Sequence, residues 1–205
     1  MDLKLQIQSG LKELKIDFID EQVNLLETYK NQLLKWNKVF NLTSITDEKD
    51  VITKHFMDSL SVNHEIHGTE QVLDVGTGAG FPGMVLAIFN PGITFHLVDG
   101  VAKKISFLDE LKGKLGLKNV YTYHEKVENL RLDNPVDIVI SRAFADIKKM
   151  MDLTQHLLKS TGQFFAMKGP GYEMELENLD QNKLAVTPLK IPFYDGSRSL
   201  VKIYK

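Results

Sequence analysis

The most informative segment of this chain is residues 72–83, which read Val-Leu-Asp-Val-Gly-Thr-Gly-Ala-Gly-Phe-Pro-Gly. Residues 72–75 have the apolar character of a short buried strand, and the glycines that follow predict a tight turn. Pro82 suits the first turn of a helix that begins behind the glycines. Glycine lets the backbone approach a ligand closely, and a helix N-terminus favours an anionic group. The segment therefore predicts a strand, a cofactor-binding loop and a helix.

Two classes of cofactor fit this loop. The glycines at 78, 80 and 83 match the Gly-x-Gly-x-x-Gly pattern of dinucleotide-binding folds, although the first falls late relative to the strand end. Asp74 followed by Gly76, Gly78 and Gly80 matches Asp-x-Gly-x-Gly-x-Gly, which is typical of S-adenosylmethionine (SAM) loops in class I methyltransferases. Both need an acid after the next strand to bind ribose hydroxyls, and Asp99 takes that place. A tight turn without a ligand is a third interpretation.

Beyond this loop, short apolar runs alternate with helical stretches. The runs span residues 72–75, 95–98, 120–123, 136–140, 164–167, 184–191 and 200–204. Helical spacing occupies residues 82–89, 102–115 and 146–158. The alternation predicts parallel crossovers in a sheet covered on both faces, whereas the short link at 192–196 predicts a final antiparallel hairpin at the sheet edge. We predict a Rossmann-like α/β fold with a doubly wound, seven-stranded sheet.

Helical spacing dominates the residues before this sheet, and residues 41–44 interrupt it. Apolar side chains recur three and four residues apart from Leu3 to Leu14 and from Val23 to Trp36. Asp20 is the predicted N-cap of the second helix, and a third helix is predicted to begin at residue 47. We therefore predict an N-terminal helical extension over residues 1–68 and a SAM-binding core over residues 69–205, within one compact domain.

Several features favour a methyltransferase over the other interpretations of the glycine loop. The Tyr-x-x-x-Lys pair of short-chain dehydrogenases does not occur, and no second domain remains to bind an oxidisable substrate. A sheet that ends in an antiparallel hairpin suits a class I methyltransferase. An NAD(P)-dependent oxidoreductase of Rossmann type and a non-catalytic module that binds SAM or RNA remain the alternatives.

The residue types restrict the atom that such an enzyme could methylate. Methylation of pyrimidine carbon 5 normally uses a cysteine nucleophile, and the chain has no Cys. Enzymes for exocyclic amines usually carry Asp/Asn-Pro-Pro-aromatic after the fourth strand, where this chain has Ser141-Arg142-Ala143-Phe144. The remaining acceptors have a free lone pair, such as a ring nitrogen. They need no general base, so catalysis would consist mostly of positioning and exclusion of water.

Composition and charge restrict the ligands and the cellular location that we expect for the protein. The net charge of −2 argues against an indiscriminate polyanion binder, although a local basic face is compatible with it. The six His form no zinc-binding pattern, and we predict no metal site. No segment approaches the ~20 apolar residues of a membrane span, and the N-terminus has no signal-peptide core. We expect a cytoplasmic monomer that acts away from membranes.

Several separate blocks resemble one family, the glucose-inhibited division protein B (RsmG) family of bacterial 16S ribosomal RNA guanine-N7 methyltransferases. The most specific are Trp-Asn-Lys-Val-Phe-Asn-Leu-Thr at 36–43, His-Phe-Met-Asp-Ser-Leu at 55–60 and Ser-Arg-Ala-Phe at 141–144. The loop at 74–83, Leu-Val-Asp at 97–99 with Lys-Lys at 103–104, Met-Lys-Gly at 167–169 and Asp-Gly-Ser-Arg-Ser-Leu at 195–200 follow in family order. The chain departs from the family pattern at Lys54, Lys126 and Ser199.

The resemblance implies a function and a set of contacts. The implied reaction is transfer of a methyl group from SAM to N7 of one guanine in 16S ribosomal RNA, with the small ribosomal subunit as partner. The implied SAM contacts are Gly76, Phe81, Val127, Glu128 and Arg142.

Position along the predicted sheet supplies further candidates. We expect Asp74, Gly78, Gly80 and Asp99 at the cofactor as well. Arg142 and Lys168 follow the fourth and fifth strands, at the edge where ligands bind, and are the predicted catalytic residues. The predicted contacts to RNA are Asn41, His55, Asp58, Lys168 and Arg198.

Overall fold

The structure is a computed structural model that describes residues 2–177 and 179–205. The N-terminal part consists of helices α1 (Leu3–Glu13), α2 (Asp20–Phe40), α3 (Glu48–Val51) and α4 (Asp58–Leu60), with a π-helical segment (Ile52–Met57) between the last two and a 3₁₀ turn (Asn63–Ile66) after them. The third helix begins at Glu48, one residue later than predicted, and Asp47 is its N-cap, because its carboxylate accepts hydrogen bonds from the backbone N–H groups of Lys49 and Asp50. The prediction for α2 was wrong by one residue, since Ile19 is the N-cap and Asp20 the first helical residue.

A seven-stranded sheet follows, as predicted. Its strands are β1 (Gln71–Val75), β2 (Thr94–Asp99), β3 (Val120–His124), β4 (Val136–Ser141), β5 (Leu158–Lys168), β6 (Leu184–Leu189) and β7 (Arg198–Tyr204). Their order across the sheet is β3-β2-β1-β4-β5-β7-β6. The first five strands are parallel, and β7 runs antiparallel to both β5 and β6. The final hairpin therefore lies at the sheet edge, where the sequence predicts it.

Helices α5 (Gly83–Phe89), α6 (Ala102–Leu115), α7 (Ile147–Thr154) and the short α8 (Glu173–Leu176) connect or cover the strands. The helix predicted at 146–158 is shorter than expected, because β5 already begins at Leu158. Residues 125–135, between β3 and β4, form turns and no helix. Among the described residues, no helix has the length and apolar character to span a membrane.

Two apolar cores lie on opposite faces of the sheet. One contains Leu73, Val139, Phe164 and their neighbours, and α7 packs against it. The other contains α5 and α6 together with side chains of the N-terminal helices, including Ile7, Leu33 and Phe56. The residues predicted as a helical extension thus share one continuous core with the sheet.

Candidate active site

A cavity of about 230 Å³ opens at the carboxyl ends of β1, β2 and β4. The strand order reverses here, because β1 lies between β2 and β4, and such a switch point is where open α/β sheets bind ligands. The residues that line the cavity are Val75, Gly76, Val98, Asp99, Gly100, Lys104, Glu125, Val127, Ala143 and Phe144. Gly76, Asp99 and Val127 are predicted cofactor contacts, and the structure brings them together here.

Gly76 forms part of the cavity wall. Its φ of +65° favours glycine, and a Cβ at this position would lie 2.7 Å from the Phe144 ring. Its N–H donates to the carbonyl of Val98, 2.9 Å away, which ties the loop to the end of β2. The loop is therefore held in place by the neighbouring strand and leaves open space above it.

The side chain of Asp74 holds the glycine loop in place through hydrogen bonds. Its Oδ2 accepts hydrogen bonds from Thr77 Oγ1 at 2.7 Å and from the Gly83 N–H at 2.8 Å, and its Oδ1 has no partner among the described residues. The side chain is fully buried, and this burial raises its pKa to about 6. A Cβ at Gly83 would lie 2.8 Å from Asp74 Oδ2, so glycine is required there. Asp74 thus lies beneath the loop and orients it.

Asp99 lines the cavity and also organises its rim. Oδ2 accepts from the Gly78 N–H at 3.0 Å and from Lys104 Nζ at 3.2 Å, and Oδ1 accepts from the Val101 N–H at 2.9 Å. The side chain is 6% exposed. A carboxylate fixed by backbone N–H groups at the end of β2 suits the binding of ribose hydroxyls.

The segment after β3 contributes Glu125 and Val127 to the cavity, and Glu128 lies outside it. Val127 is buried, whereas Glu128 is exposed and offers its backbone carbonyl to Arg131. Glu128 is thus a predicted cofactor contact that does not line the cavity, whereas Glu125 lines the cavity and was not predicted. The available signal was position, because Glu125 is the first residue after the end of β3 at His124.

Arg142, one residue beyond β4, is clamped by the N-terminal helical part. Its Nη1 donates to the Lys54 carbonyl at 3.0 Å and to Asp58 Oδ2 at 3.1 Å, and its Nη2 donates to His55 Nδ1 at 3.0 Å. The guanidinium also lies 5.2 Å from the centroid of the Phe81 ring. The structure therefore brings Arg142, His55 and Asp58 together.

His55 and Asp58 are buried within this cluster. Burial, reinforced by the Arg142 charge, lowers the pKa of His55 to about 3, so its ring is neutral. Its Nδ1 accepts from Arg142, so Nε2 carries the hydrogen and donates to Thr43 Oγ1, 2.9 Å away. Asp58 Oδ1 accepts from Arg198 Nε at 3.0 Å, which adds Arg198 to the cluster.

Phe81 connects the glycine loop to the same helices. Its ring stacks on Tyr29 at 5.3 Å and on His55 at 4.2 Å, with interplanar angles of 4° and 12°. Tyr29 reaches the loop directly, because its hydroxyl donates to the Ala79 carbonyl. Tyr29 was not predicted as a site residue, because its helical spacing indicates only a place in the core.

The remaining predicted residues lie elsewhere or are already paired. Gly80 packs beside Tyr29 and does not line the cavity. Lys168 Nζ donates to Glu175 Oε2 at 2.8 Å and to the Ala145 carbonyl at 3.1 Å. Asn41, exposed at the end of α2, lines a separate groove of about 630 Å³ with Thr43. Among the described residues, no group of His, Asp or Glu side chains could hold a metal ion.

The sheet and the crevice at its switch point are those of the class I SAM-dependent methyltransferase fold. A SAM-dependent methyltransferase from Aquifex aeolicus has a similar structure, with a TM-score of 0.58, 21% identity and coverage of 80% of this chain and 96% of that chain. A putative caffeoyl-CoA O-methyltransferase from Staphylococcus aureus gives a TM-score of 0.59 at 14% identity, with coverage of 90% and 99%. These likenesses show the fold.

Sequence comparison identifies the family. The GidB family, described as rRNA small subunit methyltransferase G, matches residues 22–201. Proteins named Ribosomal RNA small subunit methyltransferase G are 38% identical in Shewanella sp. (strain W3-18-1) and 41% identical in Francisella philomiragia. Each match covers 99% of this chain, with 99% and 98% of the respective relative. This chain belongs to the GidB family, and the predictions of family and fold class are confirmed.

Proposed function

We propose that this protein transfers the methyl group of SAM to N7 of one guanine in 16S ribosomal RNA. The observation that carries the proposal is the cavity at the switch point of the sheet, in a chain of the GidB family. When bound, SAM supplies an electrophilic methyl group on a positively charged sulfur. Guanine N7 is an exposed acceptor with a lone pair, so it takes the methyl group without losing a proton.

The residues of the cavity fit this cofactor. Asp99 would bind the ribose hydroxyls, the backbone at Gly76 leaves the space that a Cβ would fill, and Val127 and Phe144 would pack against the adenine ring. Arg142 does not itself line the cavity, but it directly precedes Ala143 and Phe144, which do. Its N–H groups that have no partner among the described residues would bind the methyl donor.

The proposed reaction needs little acid–base catalysis from these residues. Because N7 loses no proton, no general base is needed, and the neutral ring of His55 is compatible with that. The work of the site is to align acceptor, methyl group and sulfur, and to exclude water. For Lys168 and Arg198 we propose contacts to RNA, in which a phosphate would compete with their carboxylate partners Glu175 and Asp58.

Transfer of tritiated methyl groups tests the function. The substrates are unmodified 16S RNA and small subunits assembled from it, and nuclease digestion followed by mass spectrometry identifies the product. We expect 7-methylguanosine at a single position. An oxidoreductase would instead bind NAD in calorimetry, and a non-catalytic module would bind SAM without transfer. Either of those results would contradict the proposal.

A matched pair of arginine variants tests the site. Arg142→Ala should abolish methyl transfer while the protein remains folded, because it removes a donor group at the end of β4. Arg131→Ala is the control and should keep activity, because Arg131 is exposed, lies beside a different cavity and donates to the carbonyls of Glu128 and Leu130 rather than to the cluster at Asp58. Full activity of Arg142→Ala would remove Arg142 from the mechanism.

We also propose that the protein acts as a monomer in the cytoplasm, where ribosomal subunits assemble. Sedimentation equilibrium of the purified protein tests whether it is a monomer. A mass near the 23.3 kDa of the single chain is expected, and a stable dimer would contradict it.

A further inference from the structure

Three acceptors from one short stretch of chain bind the Arg142 guanidinium. They are the Lys54 carbonyl, His55 Nδ1 and Asp58 Oδ2, at 3.0, 3.0 and 3.1 Å. Lys54 and His55 belong to the π-helical segment Ile52–Met57, and Asp58 follows it directly. π-Helical turns are rare and occur often at functional sites. This turn presents a backbone oxygen, a ring nitrogen and a carboxylate to a single arginine.

Asp58 links Arg142 to a second arginine. Its side chain is 2% exposed, and its two oxygens bind different partners, Oδ2 to Arg142 and Oδ1 to Arg198 Nε. Arg142 comes from the end of β4 and Arg198 from the start of β7. One buried carboxylate therefore holds two cations that different strands bring to the same edge of the sheet.

The polar atoms of His55 and Asp58 are already occupied. Both residues are buried. His55 uses Nδ1 for Arg142 and Nε2 for Thr43, and both oxygens of Asp58 accept from arginines. Ribosomal RNA is too large to reach such atoms without displacing these partners. Direct contact with RNA, the role that sequence position suggested, is therefore disfavoured for both residues.

Arg142 keeps donors that the protein does not use. A guanidinium has five N–H groups, and three of those of Arg142 bind Lys54, His55 and Asp58. Within the described residues, Nε–H and one Nη2–H have no hydrogen-bond partner. A planar fork held on one side by three fixed acceptors is pre-organised on the other.

We propose that Asp58 and His55 are positioning residues for Arg142. They hold its guanidinium at the end of β4 so that its remaining N–H groups bind the methyl donor. The inference rests on the proposed function for the identity of that donor. It assigns Asp58 and His55 an effect on SAM affinity that passes through Arg142, and no direct contact of their own with RNA.

Coupling between variants tests the proposal on the full-length protein. Asp58→Asn and Arg142→Ala should each weaken SAM binding about 10–100-fold in calorimetry, because small displacements of a positioning group have effects of that size. The double variant should bind SAM no more weakly than Arg142→Ala alone, since Asp58 acts only through Arg142. The KM for RNA is measured for His55→Phe, where it should stay unchanged, because that variant leaves Asp58 bound to Arg198, a proposed RNA contact.

Two further variants keep the test decisive. Glu65→Gln breaks the ion pair with Lys202, 2.9 Å long, which also joins the N-terminal part to β7 but does not contact Arg142. It should bind SAM normally. His55→Phe keeps an aromatic ring against Phe81 but removes the acceptor for Arg142, so it should weaken SAM binding even if Asp58→Asn fails to fold.

Additive losses in the double variant would overturn the proposal, and so would a raised KM for RNA at unchanged SAM affinity in His55→Phe. The outcome is separate from that of the proposed function. If the unmodified protein binds SAM but methylates no RNA, the function is refuted, whereas the coupling between Asp58 and Arg142 is read from SAM binding alone.

Discussion

The buried carboxylates of Asp74 and Asp99 have different roles at the cofactor crevice. Asp74 binds Thr77 and Gly83 beneath the loop, whereas Asp99 binds the Gly78 N–H and lines the cavity. The two acids lie on neighbouring parallel strands, with Asp74 one residue before the end of β1 and Asp99 at the end of β2. In the register of the sheet Asp74 lies beside Leu97, so Asp99 is two positions further along, and this difference separates a structural role from a proposed role in binding.

Asp99→Ala should weaken SAM binding at least tenfold, because it removes both the proposed ribose ligand and the acceptor for the Gly78 N–H. Isothermal titration calorimetry measures the effect. Asp109→Ala is the matched control, since Asp109 is an exposed acid on α6 whose partners are Lys112 and Thr122. Equal affinities of the Asp99 variant and the unmodified protein would exclude Asp99 from the site.

Asp74→Asn should change how stability depends on pH. Burial raises the pKa of Asp74 from 3.8 to about 6, so the folded state favours the protonated carboxyl. Its stabilising contribution is complete below about pH 4 and is lost as the pH rises through 6. Asn cannot ionise, so the free energy of unfolding of the variant should rise relative to the unmodified protein by about 3 kcal/mol over this range. Urea unfolding from pH 4 to 7.5 measures it, and a constant difference would contradict it.

Sequence predicts residues well where a local pattern carries the chemistry. The spacing of Asp74, Gly76 and Asp99 identified the loop and the strand-end acid, because strand and turn are local. The Arg142 cluster could not be found in the same way, since Asp58 and Arg142 lie 84 positions apart and meet only through packing. Glu128 was predicted from the family resemblance, whereas Glu125 is identified only by its position directly after the end of β3, which the sequence does not define to the residue.

At the scale of elements, α2 supports the cofactor loop. Tyr29 stacks on Phe81 and donates a hydrogen bond to the Ala79 carbonyl. Phe81 in turn stacks on His55 of the π-helical segment. The loop is thus packed between two N-terminal elements, and its shape depends on their position.

Tyr29→Phe should destabilise the protein by about 1–3 kcal/mol, because the change keeps the ring but leaves the buried Ala79 carbonyl without its donor. Urea unfolding measures the loss. Tyr121→Phe is the control and should change stability by less than about 0.5 kcal/mol, since Tyr121 is half-exposed on β3. Equal effects of the two changes would show that the hydroxyl of Tyr29 has no special role.

Strands and helices were predicted more completely than their interruptions. Alternating apolar runs fixed the parallel part of the sheet, and the short link at 192–196 indicated the antiparallel hairpin. The π-helical segment was not predicted, because Ile52, Phe56 and Leu60 keep a spacing that an uninterrupted α-helix also satisfies. The extra residue in this turn is stabilised by tertiary contacts, including the bond from Arg142 to the Lys54 carbonyl.

At the scale of the whole molecule, the boundary at residue 68 separates two patterns of sequence but not two cores. Side chains from α1 and α2, among them Leu11 and Leu26, are buried in the same cluster as Phe107 of α6. We propose that residues 1–68 are an extension of one cooperative domain.

Removal of residues 1–68 should prevent folding of the remainder, because it would expose the apolar face formed by α5 and α6. Circular dichroism and thermal unfolding of residues 69–205 test this, with the full chain as control. The full chain should unfold in a single transition. A truncated protein that is soluble, melts cooperatively and binds SAM would show that the core folds alone.

The pairing of Asp58 with Arg198 has a consequence for the rate of folding. The two residues are 140 positions apart in the chain, and β7, which carries Arg198, pairs with both β5 and β6. Contacts between such distant positions form slowly, because the long intervening segment must be ordered first. The second guanidinium should therefore reach Asp58 only when the central position between β5 and β6 is filled, which places completion of the cluster late in refolding.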